Sequence, residues 1–354
     1  MSKSKLTLLI DGNWLLMSRL SVLNKNYIDD YELCQELKLL MIKSINVVLR
    51  TFPLIDNIIF CSDGGSWRNK IEIPKCLDYE HNKELVEYKG TRVKSDDINW
   101  DVIFMAYEDL MTTLSSVGIT ISKENNIEGD DWMFHWSKFL NEHETNCIIW
   151  TKDNDLKQLI NIDKNKCFTV WWEKNSGLFV SDNMNEDDFN FMFNYEFTNN
   201  EQLLNHIIEK ASKVTKINPK NIVIEKILKG DSSDNIFPII LRKSKTNSEK
   251  KFKISAKDIN YDLNYNNDDE VKNYIHQIIN QKNYIGRVEH TEEEIIEHFK
   301  YNRTLIALEE KNYPKEILDK MNEYNNYNIS KNVYLAESQI RAESNKLNGI
   351  LNII

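Results

Sequence analysis

Nine carboxylates fall at positions where an alternating chain would gather them: Asp11, Asp63, Glu128, Asp130, Asp131, Asp153, Asp155, Asp231 and Asp234. Three of them crowd into EGDD (128–131), directly ahead of the bulky run WMFHW. A lone Asp at a strand end or in a first helical turn is ordinarily a cap. Capping accounts poorly for acids at several separate elements that the fold would bring together. Carboxylates held within ~5 Å repel and raise one another's pKa unless a cation neutralises them. Sites built of oxygen alone suit magnesium or manganese. So many acids leave room for two ions, and two ions ~4 Å apart stabilise the attacking and departing oxygens of an in-line phosphoryl displacement. The chemistry expected is metal-dependent phosphodiester hydrolysis.

The elements that must position these acids read as strand and helix in alternation. LTLLI (6–10), NIIFCSD (57–63), GITIS (118–122) and NCIIWT (146–151) are short, β-rich apolar runs. Between them Leu33, Leu37, Leu40, Met41, Ile45 and Val48 recur at helical spacing, and further helices are predicted around 102–110 and over 129–142. The pattern implies an α/β fold with a mostly parallel sheet flanked by helices. Ligand residues of such a sheet collect at the carboxyl ends of its strands. Here Asp11, Asp63, Asp153 and Asp155 stand at those ends, while Glu128 and Asp131 share a helix face and Asp130 points to its neighbour. Beyond about 183 the pattern turns mainly helical. Helices are predicted in NEQLLNHIIEKAS (200–212), IVIEKILKG (222–230), DDEVKNYIHQIINQ (268–281), TEEEIIEHFKYNRTLIAL (291–308) and PKEILDKMNEY (314–324), with a boundary between 182 and 215.

DGN (11–13), SDGGSWR (62–68), EYKGTR (87–92), EGDD, TKDNDLKQL (151–159) and GDSSDNI (230–236) occur in the order found in the 5′ nuclease superfamily, which the chain resembles over 6–240. That group includes flap endonucleases, the 5′-exonuclease domains of bacterial DNA polymerases and phage 5′ exonucleases. Most relatives continue from GDSSDN into a Gly-rich helix-hairpin-helix turn. Here NIFPIILRKSKTNSEKKFK follows, without the glycines that form a potassium site in other members. This departure, with NRTLIAL (302–308) and YPKEI (313–317), is similar to the T-even phage ribonuclease H branch.

The resemblance implies a PIN-like nuclease core over 1–182, with a helical arch at about 66–100. It also implies a helical DNA-binding domain over 183–354, with a modified helix-hairpin-helix region at about 222–258. Position by position, Asp11, Asp63, Glu128 and Asp130 match acids around a first Mg2+ or Mn2+ ion. Asp131, Asp153, Asp155 and Asp234 match those around or beside a second, with Asp231 in an outer role. The activity implied is that of a 5′–3′ exonuclease, flap endonuclease or ribonuclease H acting near 5′ ends of RNA–DNA and DNA duplexes and removing RNA primers in phage DNA replication.

Lys89 and Arg92 lie where the arch begins in that superfamily and are expected to act catalytically, offsetting charge that develops on the phosphate. Arg68 either pairs with a phosphate or holds the acids in place. Tyr88 either stacks on a terminal base or packs. RKSKTNSEKKFK (242–253) brings Arg242, Lys243, Lys245, Lys250, Lys251 and Lys253 together. It is either a solvated face or a sequence-independent, salt-sensitive grip on a duplex backbone.

The net charge of −10 argues against a nonspecific polyanion binder unless metal ions and local basic patches reverse the sign. At 354 residues the chain exceeds one ordinary core. No stretch approaches the ~20 apolar residues of a membrane span and no cleavage-site pattern follows the N-terminus, so a cytoplasmic protein is expected, in the host cell if phage-encoded. Cys34, Cys61, Cys76, Cys147 and Cys167 show no C-x-x-C spacing, and the histidines show no H-x-x-x-H. Reduced thiols, no histidine-ligated metal and a monomer are expected. SQIRAESNKLNGILNII (338–354) either docks on the helical domain or carries a motif for a sliding clamp or single-strand-binding protein. Two competing readings are a structure-specific branched-DNA-binding protein without catalysis and a small-molecule phosphohydrolase.

Overall fold

In LTLLID the apolar side chains leave no polar face, and the strand they form, β1 (Leu6–Asp11), is buried on both sides. Leu8, Leu9 and Ile10 are fully buried. Such a run suits the centre of a parallel sheet covered on both faces. In the computed structural model β1 lies between β2 (Asn57–Cys61) and β4 (Asn146–Trp150) and is parallel to both. The structure describes residues 6–23, 29–52, 55–77, 87–92, 98–143, 145–162, 168–173, 177–182, 213–244 and 251–326.

Among the described residues the sheet runs in the order β3 (Thr120–Ser122), β2, β1, β4, β6 (Phe168–Glu173), β7 (Gly177–Ser181) and β8 (Val214–Ile217), with β5 (Asn161–Ile162) paired on β6. Only the pairings of β6 with β5 and with β7 are antiparallel. The mostly parallel α/β sheet expected from the alternation is present. Helices α1 (Gly12–Leu20), α2 (Asp30–Thr51), α3 (Trp100–Ser116) and α4 (Gly129–Glu142) accompany it. In α2 the stripe Leu37, Met41, Ile45 and Val48 is buried in the same core as Ile103, Leu110 and Leu114 of α3. The start of α2 is fixed by Asp29, whose carboxylate accepts the Glu32 N–H at 2.8 Å.

From β1 the chain builds outward through β2 to β3, then returns to the other side of β1 with β4. The strand order reverses between β1 and β4, and that is where open α/β sheets bind ligands at their carboxyl edge.

Two compact units result, one formed by 1–66, 95–218 and 315–354, the other by 67–94 and 219–314. These are interleaved along the chain, a different partition from the sequence-derived core over 1–182 and helical domain over 183–354. One physical reason is that strands continue to Ile217: β8 extends the sheet parallel to β7. The second unit has its own core, including Ile224, Ile227, Ile239, Ile275, Ile295 and Phe299. It contains α5 (Pro219–Lys229), the antiparallel pair β9 (Leu241–Lys243) and β10 (Lys251–Lys253), α6 (Asp268–Ile279) and α7 (Glu292–Ile306). TEEE opens α7 as a capping box, Thr291 Oγ1 accepting the Glu294 N–H and the Glu294 carboxylate accepting the Thr291 N–H. In the 222–258 region the described residues form one α-helix followed by the β9–β10 pair. The described part of 66–99 holds a 3-10 turn at Trp67–Lys70. The helix expected over 200–212 and the terminal run 338–354 lie outside the described residues, as do 78–86 and 93–97 of the expected arch. Helix α8 (Lys315–Glu323) belongs to the first unit.

Candidate functional site

Asp11 closes β1 and caps α1. Its Oδ1 accepts the Trp14 N–H at 2.9 Å, and its Oδ2 accepts the hydroxyl of Thr151, which follows β4, at 2.7 Å. Burial pushes the Asp11 carboxyl up to about 7; those two hydrogen bonds oppose the rise, and the neighbouring charges of Asp63 and Asp153 add to it. The next two residues explain the rest of the DGN motif. A Cβ on Gly12 would sit 2.3 Å from both the Phe60 ring and the Tyr107 hydroxyl, so only glycine lets α1 start this close to β2. Asn13 then reaches across to the end of β2, where its Nδ2 donates to Asp63 Oδ2 at 2.6 Å and its Oδ1 accepts the Asp63 N–H at 3.1 Å. Tyr107 donates to that same Oδ1 at 3.2 Å from α3.

Asp63 is also bound to the start of α4. Its Oδ1 accepts the Gly129 N–H at 2.5 Å, placing a carboxylate at the positive end of the helix dipole. Within EGDD the three acids separate. Asp131 is fully buried and its Oδ2 accepts the Glu128 N–H at 3.1 Å, which makes it the N3 partner of a capping box whose N-cap is Glu128. Glu128 is buried as well, while Asp130 is half-buried. Asp130 directly follows Gly129, whose N–H Asp63 accepts at the carboxyl end of β2, and with Asp11 it adds to the rise that burial gives the Cys61 thiol.

At the end of β4, Thr151 is the hinge. Its Oγ1 donates to Asp11 and accepts the Asp153 N–H at 2.9 Å, and Asp153 Oδ1 accepts the Asp155 N–H at 2.9 Å. Asp153 is exposed and Asp155 half-buried. The first unit therefore brings Asp11, Asp63, Asp130 and Asp153 to one carboxyl rim at the switch point, with Glu128 and Asp155 on the elements that flank them. Among the described residues no three His, Cys, Asp or Glu side chains are gathered into a ready-made metal cage. The donor set nevertheless fits a hard cation. It is all oxygen, and magnesium typically binds through one or two carboxylates while keeping several waters. An acid driven up to about 7 by burial and like charges is also one that a cation would relieve.

In the second unit the remaining predicted residues meet different partners. Asp231 Oδ2 pairs with Lys226 at 2.5 Å and its Oδ1 accepts the Ser233 N–H at 2.8 Å, closing the turn after Gly230. Its carboxyl is held down to about 2: burial acts against this, and the Lys226 and Ser233 hydrogen bonds outweigh it. Asp234 is met by the EYKGTR segment: Arg92 in direct ion-pair contact with Oδ1, Tyr88 Oη donating to Oδ2 at 3.3 Å and Lys89 Nζ 4.0 Å from Oδ2. Tyr88 is buried, and Arg68 is buried with its Nε donating to Leu305 O at 3.0 Å and its guanidinium over the Trp67 ring. Tyr88 thus has a packed environment, and Arg68 meets a backbone carbonyl and an aromatic ring. Of the basic segment, Lys245 and Lys250 lie outside the described residues. Lys243 and Lys251 share Glu289, at 3.3 and 2.6 Å, Arg242 lies over the rings of Phe252 and Tyr284, and Lys253 is exposed on β10.

Asn13, Thr151, Tyr107 and Lys226 were not singled out from sequence. Asn13 and Thr151 stand inside the DGN and TKDND motifs but carry no charge. Tyr107 sits at a core position of a helix, where nothing marks it as different.

No family model and no curated protein sequence matches the chain. Among solved structures it is similar to the D15 protein of bacteriophage T5 co-crystallised with metal ions, with 13% identity, 94% of this chain and 100% of that one covered, and a TM-score of 0.53. It is equally similar to T5 5′-exonuclease with bound zinc, with 13% identity, 92% and 100% coverage and a TM-score of 0.53. At that identity the likeness establishes a shared fold.

Proposed function

We propose that the protein is a metal-dependent 5′–3′ nuclease of the 5′ nuclease superfamily, of the T-even ribonuclease H type. It hydrolyses phosphodiesters near the 5′ ends of RNA–DNA and DNA duplexes and removes RNA primers in phage DNA replication. The observation that carries this is the rim of the first unit, where Asp11, Asp63, Asp130 and Asp153 stand at the carboxyl switch point of a parallel sheet and the Asp11 carboxyl is raised, by burial first and by the charges of Asp63 and Asp153 after it. The two T5 structures that share the fold contain metal ions, one of them a 5′-exonuclease with zinc, which supports divalent metal use here.

Asp11, Asp63, Asp130 and Asp153, aided by Glu128 and Asp155, would hold two magnesium or manganese ions. Bound there, such ions supply an activated water and neutralise the charge of the displaced oxygen. The protein's own part is to fix the ligands. Asn13 orients Asp63, Thr151 ties Asp11 to the Asp153 loop, and the Gly129 amide sets the α4 end. Lys89 and Arg92 supply positive charge to the phosphate. Asp231 and Asp234 already have cationic partners, so the metal reading stands on the first unit. The reading places the protein in the cytoplasm as a monomer, with a sliding clamp or single-strand-binding protein as candidate partners; among the described residues no helix is long and apolar enough to cross a membrane.

Asp153→Asn should abolish magnesium-dependent hydrolysis of a 5′-labelled RNA–DNA hybrid while leaving duplex binding in place. Intact hydrolysis in that variant would refute the metal assignment. A wild-type protein that binds branched DNA but releases no product with magnesium or manganese would instead be the catalytically inactive binding protein.

A further inference from the structure

Two loops of the second unit are zipped together at a single carboxylate. The Lys89 N–H donates to the Asp234 carbonyl at 2.9 Å, and Asn235 Nδ2 donates to the Glu87 carbonyl at 2.9 Å. Lys89 and Asn235 both adopt left-handed backbone, with φ of 56° and 59°. Asparagine tolerates that region, whereas lysine adopts it only where its surroundings impose it. The backbone pairing is what imposes it, and it presents the side chains of Tyr88, Lys89 and Arg92 to the same group. Asp234 thereby receives a guanidinium, an ammonium and a phenol. That is the donor set an anionic phosphate oxygen takes, charge-assisted and planar on the arginine side. The Asp234 side chain is 14% exposed and that of Arg92 57%, so the ion pair lies where solvent reaches it.

We infer that Asp234 is a positioning residue and internal counter-ion for Lys89 and Arg92. Its carboxylate occupies their donors in the absence of nucleic acid and is displaced from them by a substrate phosphate. Asp234 holds the two cations in place through the backbone pairing and gives them up through its side chain. A carboxylate has two oxygens with several acceptor sites, so this role is separate from the metal-ligand role drawn from the sequence and does not exclude it. This rests on the nuclease reading only in supposing that the ligand is a nucleic-acid phosphate.

The test measures binding of a 5′-phosphorylated, fluorescein-labelled DNA duplex in EDTA, so that no metal ligation contributes. Asp234→Asn keeps the size of the side chain and removes its charge. It should bind about threefold to tenfold more tightly than wild type, as expected when a partly exposed ion pair no longer competes. In a Lys89→Ala/Arg92→Ala background the same substitution should give no gain. A gain of equal size in that background would mean that removal of a nearby negative charge acts nonspecifically, and it overturns the inference. So does an Asp234→Asn affinity equal to or weaker than wild type. Asp234→Ser repeats the comparison without placing an amide in the turn, and both variants are matched to wild type by their thermal transitions. Failure of wild type itself to bind the duplex overturns this inference and the nuclease reading together. Wild-type binding with an unchanged variant overturns the inference alone.

Discussion

Thr151→Val removes one hydroxyl and little else, and the structure says what it should cost. The Thr151 side chain is fully buried, and valine fills the same volume, so no cavity opens. Two hydrogen bonds disappear, one donated to Asp11 Oδ2 and one accepted from the Asp153 N–H. A bond to a charged group contributes about 1.5 to 3 kcal/mol. Asp153 is exposed, so water replaces much of the second bond and the loss there is about 0.5 to 1 kcal/mol. The total expected is about 2 to 4 kcal/mol. Urea unfolding at pH 8 in EDTA, followed by tryptophan emission, measures it; Trp14 and Trp150 lie edge to face at 5.6 Å in the first unit, beside the bridge. Thr151→Ser keeps the hydroxyl and should recover most of the loss. Amide exchange at Asp153 should quicken in the valine variant and not in the serine one. A valine variant within about 0.5 kcal/mol of wild type, the ordinary range for neutral substitutions, would show that the hydroxyl does not tie the two strand ends together.

Further outcomes follow from the same contacts. Gly12→Ala must push aside the Phe60 ring and the Tyr107 hydroxyl, and an overpacking cost of about 1 to 3 kcal/mol is expected in the same urea assay; an unperturbed variant would mean that α1 can retreat from β2 freely. Lys89→Ala should lower turnover far more than duplex affinity, and equal losses in steady-state rate and in binding would make Lys89 a binding residue only. His298 in α7 is buried and pushed down to about 4, by burial first and the charge of His290 second. Its native pKa lies below the ordinary value of 6.5, so its contribution is complete above pH 6.5 and is lost as pH falls towards 4. The loss is roughly 3 kcal/mol. His298→Leu should flatten stability against pH in that window, and an unchanged slope would assign the acid sensitivity elsewhere.

Much of this was legible in the chain because strand and helix periods differ and because glycine and acids sit where the periods change. LTLLI, NIIFC and NCIIW are strands, and EGDD does open the helix that runs to Glu142. The neutral members of the rim were not legible. Asn13 and Thr151 hold charged groups without carrying charge, and a sequence read for carboxylates passes over the donors that aim them. The course of the chain after 182 was also hidden. β8 joins the sheet through pairing with β7, a long-range contact that the four residues of VTKI do not signal on their own.

A tally of nine acids treats as equal what the folded chain makes unequal. Asp231 and Asp234 meet lysine and arginine side chains, so their negative charge is balanced within the protein. Asp131 is spent on a helix start. Asp11 is met by an amide and a hydroxyl, which orient a carboxylate without cancelling its charge, and burial, with smaller additions from Asp63 and Asp153, pushes it up to about 7. Such an arrangement is one that an external cation would relieve. Counting carboxylates therefore overstates the proposed metal site, whereas asking what each one is bonded to narrows the proposal to the ends of β1, β2 and β4, where Asn13, Thr151 and backbone amides hold Asp11, Asp63 and Asp153.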